Sequence, residues 1–434
     1  MKKLALLLFF MAFCVTISAQ NVLRSQFTLY DTREDSVNRD HSKTLNYIAF
    51  SPQSLGSVGA IEMFGQKVSV PASWNDYNVY LHVENTQSAY DIAINGSVVA
   101  ISEDYSTPKD YFISPYLRQG DNDVVLLLRP SNTPQLDQGT AASRLAKLSG
   151  CYIFAQHRAS VYDYDAAIVA RDGKLHLELD IIASNDFNYE ETISVGYDIY
   201  TPERKLVDYA VRDFTVAGRS RDTLKVRIDL GAELRYLWSA AKPSLYRTTL
   251  YIKRGGKPFE YLPLFIGAGE TTFENGKIYR NGKPIVIKEV VYNANLSRTQ
   301  SRKDILALKN KGYNTLRPDA PQPLWFYDLC DNIGMYVIEQ VALNPTAQSE
   351  NRAIGGTPSN DPTLVDEYLA RTKSMYYRTR NHPSIIAYSI AGKEAGNGYC
   401  LYKAYQWLKS VEKHRPVICS SAAGTSSNTC RQLQ

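Results

Sequence analysis

The stretch "SRKDILALKNKGYNTLRPDAPQPLWFYDLCDNIGMYVIEQ", residues 301–340, alternates two kinds of order. "SRKDILALKNKG" sets Ile305 and Leu308 on one face of an amphipathic helix that stops at Gly312. "NTLRP" is a short strand. "PLWFYDLCDNIG" opens on Pro323 and closes on Gly334, the punctuation of a helix. "MYVIEQ" is an apolar run of strand length. Strand and helix in strict succession predict a parallel sheet with crossover helices.

The same rhythm extends both ways. Upstream, "PIVIKEVVY" (284–292) reads as a strand. Downstream come a long helix (362–380), the strand "SIIAYSI" (384–390), a helix (398–414) and the strand "PVICSS" (416–421). About five βα units are legible, where a closed barrel uses eight in about 250 residues.

Before residue 271 the pattern is β throughout. "NVYLHVEN" (78–85) alternates Val79, Leu81 and Val83, and "YDIAINGSVVAIS" (90–102) folds back through Asn95-Gly96, a strong hairpin signal. "YLRQGDNDVVLLLRP" (116–130) adds a turn and a strand. Longer alternating strands follow at 174–184, 193–202, 222–230 and 246–254. The expected fold class is multidomain β plus α/β. A jelly-roll-like β-sandwich spans 20–158, an immunoglobulin-like β-sandwich 159–270, and an incomplete (β/α) TIM-type barrel 271–434.

Residues 1–19 read as a signal peptide. Lys2 and Lys3 precede an apolar stretch too short to span a bilayer, and "TISAQ" offers cleavage after Ala19. Phe13 before Cys14 disfavours a lipid anchor. A secreted or periplasmic chain, with no membrane attachment once the signal is removed, is the expectation. Forty-nine basic residues against 44 acidic ones do not predict nucleic acid as a partner. Cys151, Cys330, Cys400, Cys419 and Cys430 are widely spaced, so they suggest buried apolar thiols and neither a disulfide framework nor a metal site.

Several stretches together resemble glycoside hydrolase family 2, which includes β-galactosidases, β-glucuronidases and β-mannosidases. "INGSVVAISEDYSTPKDYFISPYLRQGDN" is similar to its sugar-binding sandwich, and "LWSAAKPSLYRTTLYI" (237–252) to the end of its immunoglobulin-like domain. "NGKPIVIKEVVYNAN", "DILALKNKGYNTLRP", "PLWFYDLCDNIGMYVIEQ" and "RTRNHPSIIAYSI" follow its barrel in order. The resemblance implies carbohydrate metabolism and a β-glycoside or polysaccharide as ligand; no cofactor or metal is expected, the six histidines being scattered without ligand spacing. It also implies a retaining mechanism on two carboxylates about 5–5.5 Å apart.

By resemblance the acid/base follows the fourth strand, where "SIAGKEAGNG" is one residue longer than the family's S-L-G-N-E-S-G-N-G. Aligned from the later glycines, Glu394 is that acid and Lys393 replaces the asparagine that holds the sugar. Aligned from Asn381-His382-Pro383, Gly392 takes the asparagine place and Lys393 the glutamate's. A neighbouring lysine favours the carboxylate form of Glu394, against what a general acid needs. A solvated or lysine-paired loop acid is the plainer reading of Glu394.

Further sugar contacts implied by the resemblance are Arg317 after the second strand, Glu339 after the third, and Asp137 in the sandwich's acidic loop. Glu339 aligns with an aspartate and Gln340 with a glutamate. Asp319, Glu339 and Glu289 are the strand-end carboxylates that could substitute for a missing partner. His382 is kept, with a structural role expected. Counting strands to Gln434 leads to the expectation that the nucleophile segment is missing and that the chain is a catalytically impaired enzyme or pseudoenzyme. The alternative is a non-catalytic carbohydrate-binding or assembly module that pairs with another copy or another chain, covering the open barrel edge.

Overall fold

The computed structural model describes residues 19, 21–38, 44–137, 146–294, 297–344, 353–391 and 398–418. Lys393, Glu394, Cys419, Cys430 and nearly all of the signal segment lie outside the described residues. The chain divides into two compact units. One holds the described residues of Met1–Val22, Asn46–Pro134 and Leu145–His157; the other holds those of Leu23–Leu45, Gln135–Arg144 and Arg158–Gln434. Among the described residues no helix is long and apolar enough to cross a membrane.

The first unit stacks two antiparallel sheets. β1 (Tyr47–Ala49), β4 (Tyr77–Val83), β7 (Lys109–Phe112) and β9 (Tyr152–His157) run in the order β1-β9-β4-β7. β2 (Gln53–Val58), β3 (Ile61–Val70), β5 (Ala89–Ile94), β6 (Ser97–Ser102) and β8 (Gly120–Arg129) run in the order β2-β3-β8-β5-β6. Period-two alternation drives the packing: Val79, Leu81 and Val83 of β4 share one core with Ile92, Ile94, Val124, Leu126 and Leu128. Asn95 and Gly96 take positive φ angles of 51° and 88°, as a tight hairpin turn requires, and Ile94 pairs with Ser97 across it.

In the second unit, β10 (Ala159–Arg171), β11 (Lys174–Asn185) and β14 (Ser220–Gly231) form one sheet. β12 (Glu191–Tyr200), β13 (Leu206–Val216), β15 (Leu245–Arg254) and β16 (Lys257–Gly267) form another. Leu175, Leu177, Leu179 and Ile181 of β11 meet Val195, Tyr197, Ile199 and Leu250 between them.

Three short strands, β17 (Thr271–Glu274), β18 (Lys277–Arg280) and β19 (Lys283–Pro284), lead into a parallel sheet. Its strands are β20 (Glu289–Val291), β21 (Thr315–Arg317), β22 (Tyr336–Gln340), β23 (Ile385–Ser389) and β24 (Val417–Ile418), paired in sequence order. Helices α1 (Arg298–Asn310), α2 (Leu324–Ile333), α3 (Val365–Thr379) and α4 (Tyr399–Val411) make the crossovers. α1 begins where the Ser297 side chain accepts from the Gln300 amide. α2 ends at Gly334 with φ +80°, and a Cβ there would come 2.4 Å from the Ala240 carbonyl oxygen, so only glycine fits.

The central strands β22 and β23 are buried on both faces. Leu316, Val337, Val341, Ile385 and Tyr388 pack on the helices. Tyr336, Ile338, Ile386 and Ala387 pack with Trp238 and Leu245. Trp238 is fully buried and donates its indole N–H to the Asp331 carbonyl, 3.0 Å away, so the "LWS" segment ties the second sandwich to the parallel sheet.

Candidate functional site

In parallel sheets with crossover helices, functional groups gather at the C-terminal strand ends. Here those ends carry Asn293 after β20, Arg317 and Asp319 at β21, Gln340 closing β22 with Asn344 beyond it, and Ser389 closing β23. Leu316 faces the helices, so strand alternation turns Arg317 to the opposite side. Its guanidinium lies 3.6 Å from a Glu289 carboxylate oxygen and 3.5 Å from Ser389 Oγ, spanning three strands.

Beside it runs a network of side-chain amides. Asn293 Nδ2 donates to Asp319 Oδ2 at 3.2 Å, and the Asp319 amide donates back to Asn293 Oδ1 at 3.0 Å. Gln340 Nε2 donates to the Asp319 carbonyl at 3.0 Å and to Asn344 Oδ1 at 2.9 Å. Asn344 Nδ2 reaches the same carbonyl at 2.9 Å. Gln322 accepts from the Ala294 amide at 2.7 Å and donates toward Asn293 Oδ1 at 3.3 Å. Amides both donate and accept, which fixes the loops after β20, β21 and β22 and matches the hydroxyl pattern of a sugar. Sequence reasoning passed over Asn293, Gln322 and Asn344. The available signal was a run of amides just after successive strands.

Glu339 is placed elsewhere. It lies between Ile338 and Gln340, so alternation points it at the helices and away from Arg317. Tyr327 of α2 donates its hydroxyl to Glu339 Oε1 at 2.7 Å, and the side chain is fully buried. Burial pushes its carboxyl up to about 7; the Tyr327 hydrogen bond and the charges of Arg378 and His382 act in the opposite direction. Its perturbed acidity belongs to the helix layer.

Asp137 is also engaged away from the strand ends. Arg371 of α3 grips it with both terminal nitrogens, at 2.7 and 3.3 Å, and donates to the Ala342 carbonyl at 2.7 Å. The pair is buried, which makes it an anchor for Leu136 and Asp137 within the second unit. Arg317 therefore stays on the strand-end side, beside Glu289 and Ser389, whereas Glu339 and Asp137 are engaged elsewhere; Lys393 and Glu394 lie outside the described residues.

His382 donates or accepts through Nδ1 with Asp331 Oδ2 at 2.6 Å, and Asp331 Oδ1 takes the Ser384 amide at 3.0 Å. This pair fixes the entry into β23 against α2. With Asp328 these residues form the one three-residue group of metal-ligand type among the described residues, but Asp331 already uses both oxygens. Cys151, Cys330 and Cys400 are buried free thiols; burial raises the Cys151 and Cys400 thiols to about 11, far from nucleophile range.

Residues 272–433 match the family model described as "Glycosyl hydrolases family 2, TIM barrel domain". A β-galactosidase of Priestia megaterium is 26% identical over 390 residues, covering 85% of this chain and 37% of that protein. One from Pectobacterium atrosepticum is 27% identical over 358 residues, covering 77% and 33%. The chain thus spans about a third of the length of these curated relatives. Among solved structures, a Bacteroides uniformis β-glucuronidase superposes with TM-score 0.70 at 15% identity, covering 92% of this chain and 52% of that one. A β-D-mannosidase from Dictyoglomus thermophilum gives 0.65 at 15% identity, covering 82% and 50%. These structural likenesses concern the fold.

Proposed function

We propose that this chain, a glycoside hydrolase family 2-like protein, binds a β-glycoside or polysaccharide at the C-terminal ends of β20–β23. By itself it hydrolyses that ligand weakly or not at all. The observation that carries the reading is the make-up of the strand ends. Arg317 and the Asn293–Asp319–Gln340–Asn344 network line the strand ends with polar side chains of the kind that bind sugar hydroxyls, while Glu339, the third strand's acid, faces the helices. A retaining glycosidase needs two facing carboxyl groups, and turning Glu339 away removes one of the three acids that could substitute for a missing partner. The names of the relatives suggest galactosides, glucuronides and mannosides as ligands to try.

The test pairs turnover with binding. Aryl β-galactoside, β-glucuronide and β-mannoside should show background turnover with the wild type and with Glu394→Gln alike. Titration with the matching oligosaccharides should reveal binding that Arg317→Ala weakens roughly tenfold or more. Wild-type turnover abolished by Glu394→Gln would overturn the impairment, and unchanged binding in Arg317→Ala would overturn the site. Export, which residues 1–19 support, is tested by intact mass of secreted material: Gln20 at the N-terminus is expected, and recovered Met1 would refute it.

One observation favours assembly as a second role. β20 is outermost in its sheet among the described residues, and Val286 and Val291 beside and within it are 73% and 48% exposed. Light scattering of the purified chain should then report a species heavier than the monomer.

A further inference from the structure

On the face opposite the candidate site, the N-terminal ends of β20, β21 and β22 meet segments 234–242 and 280–285 around a cleft of about 750 Å³. That is the size of a small-molecule site. Its charged lining residues are Arg235, Lys242, Arg280, Lys283, Lys288 and Lys309, with no aspartate or glutamate. The whole chain carries 49 basic against 44 acidic residues, so one-signed lining is a local departure.

One of the six cations is matched. Arg235 is 2.8 Å from Glu233, which lies outside the lining. Arg280 is 6% exposed and donates to the Trp238 and Ala268 carbonyls and to Thr271 Oγ1, neutral acceptors that leave its charge standing. Burial lowers its pKa to about 10, so it remains a cation at neutral pH. Lys309 likewise donates to two carbonyls, those of Ala240 and Ile333. Lys242, Lys283 and Lys288 stand exposed and form no ion pair among the described residues. The field of these five cations, none of them in an ion pair among the described residues, converges on a concave space, where low-dielectric walls focus it.

The rest of the lining is apolar or aromatic. Leu237, Ala240, Pro284 and Ile285 contribute apolar surface, and Tyr313 presents a ring that is 36% exposed. Such a surface suits the flat face of a ring, and the lysines suit oxyanions projecting from it.

We infer that this cleft binds a small polyanion: a ring-bearing ligand with two or more carboxylate, sulfate-ester or phosphate groups. Bound oxyanions relieve the mutual repulsion of the cations, whereas a neutral ligand does not, so charge and not ring shape alone decides occupancy. The ligand class goes beyond the glycoside site, which lies at the other ends of the strands.

The experiment is calorimetric titration of the full chain at low salt with four probes: tetragalacturonate, a disulfated disaccharide, a nucleoside diphosphate and uncharged cellotetraose. At least one polyanion should saturate the wild type, with binding weakened by added salt and roughly tenfold or more by Lys283→Glu/Lys288→Glu. The Lys283→Gln/Lys288→Gln pair, checked for native circular dichroism, should fall between. Which polyanion binds identifies the oxyanion. Arg317→Ala should leave polyanion binding unchanged, which separates this site from the glycoside site. Failure of all three polyanions to bind would overturn the inference. So would equal affinity in the wild type and the charge-reversed pair, or loss of binding in Arg317→Ala.

Discussion

Raising the pH from 7 to 10 should loosen the first unit around β4 and β7, because a buried imidazolium bridges them. His82 of β4 is 3% exposed. Its Nδ1 lies 2.7 Å from Asp110 Oδ1 of β7, and its Nε2 lies 2.8 Å from Glu84 Oε2. Both nitrogens face carboxylates, so the ring donates twice and must be protonated to do so. Tyr152 of β9 stacks on it with centroids 4.5 Å apart. Burial opposes the charge, but the hydrogen bonds to Asp110 and Glu84, with the attraction of both carboxylates, outweigh it and raise the pKa to about 9.

The folded pKa lies above the unfolded value of about 6.5, so the stabilisation is complete below pH 6.5 and disappears as pH rises through 9. The gap is worth about 3 kcal/mol. Hydrogen exchange of peptides from Tyr77–Val83 and Lys109–Phe112, corrected for intrinsic rates, should show protection falling across that window. A His82→Gln chain should have lower protection at pH 7 and little further loss on the way to pH 10. Carbon-13 resonances of the His82 ring supply a direct reading, with a titration midpoint near pH 9. A midpoint below pH 7, or protection in the wild type that is flat from pH 7 to pH 10, would refute the reasoning.

Two other changes have outcomes set by burial. Glu339→Gln keeps an acceptor for Tyr327 and removes a carboxyl whose folded pKa of about 7 exceeds the ordinary value of 4.5. Because ionising that group inside the fold costs up to about 3 kcal/mol, wild-type stability falls as pH rises from 4.5 through 7, and the variant should melt higher than the wild type at pH 8 but not at pH 4. A variant that melts lower at pH 8 would contradict this. Arg371→Ala strands Asp137 in the interior and should destabilise the second unit by about 3–5 kcal/mol in urea denaturation, with a loss under 1 kcal/mol as the refuting result.

Legibility in the sequence followed physical range. The Asn95-Gly96 hairpin, the alternating strands of both sandwiches and the strand–helix succession after residue 284 rest on local periodicity and turn chemistry, which act over a few residues. Pro323 and Gly334 bound α2 as the punctuation implied, and Gly334 adds a reason no local pattern carries, the nearby Ala240 carbonyl. The partner of Asp137 is 234 residues away in the chain, so an acid in a loop offered no sign that an arginine would claim it. The His82–Asp110 contact likewise joins strands 28 residues apart.

The third strand shows where likeness by letters stops being informative. Glu339 and Gln340 are adjacent, and in a strand adjacent side chains point to opposite faces. Matching an acid to an acid by alignment says nothing about which side it serves unless the register is settled. Here Ile338 packs with Trp238 while Val337 and Val341 pack on the helices, and those apolar neighbours decide the matter. Slipping the strand by one residue would bring Glu339 to the Arg317 side, but would also move Val337 and Val341 off the helices, exposing a core that several apolar side chains hold at about 1.5–3 kcal/mol each. Hydrophobic register therefore outranks any electrostatic attraction between Glu339 and Arg317. The inward position belongs to Gln340, an amide, so the third strand adds a hydrogen-bonding group beside Glu289, Arg317 and Asp319 and no further charge.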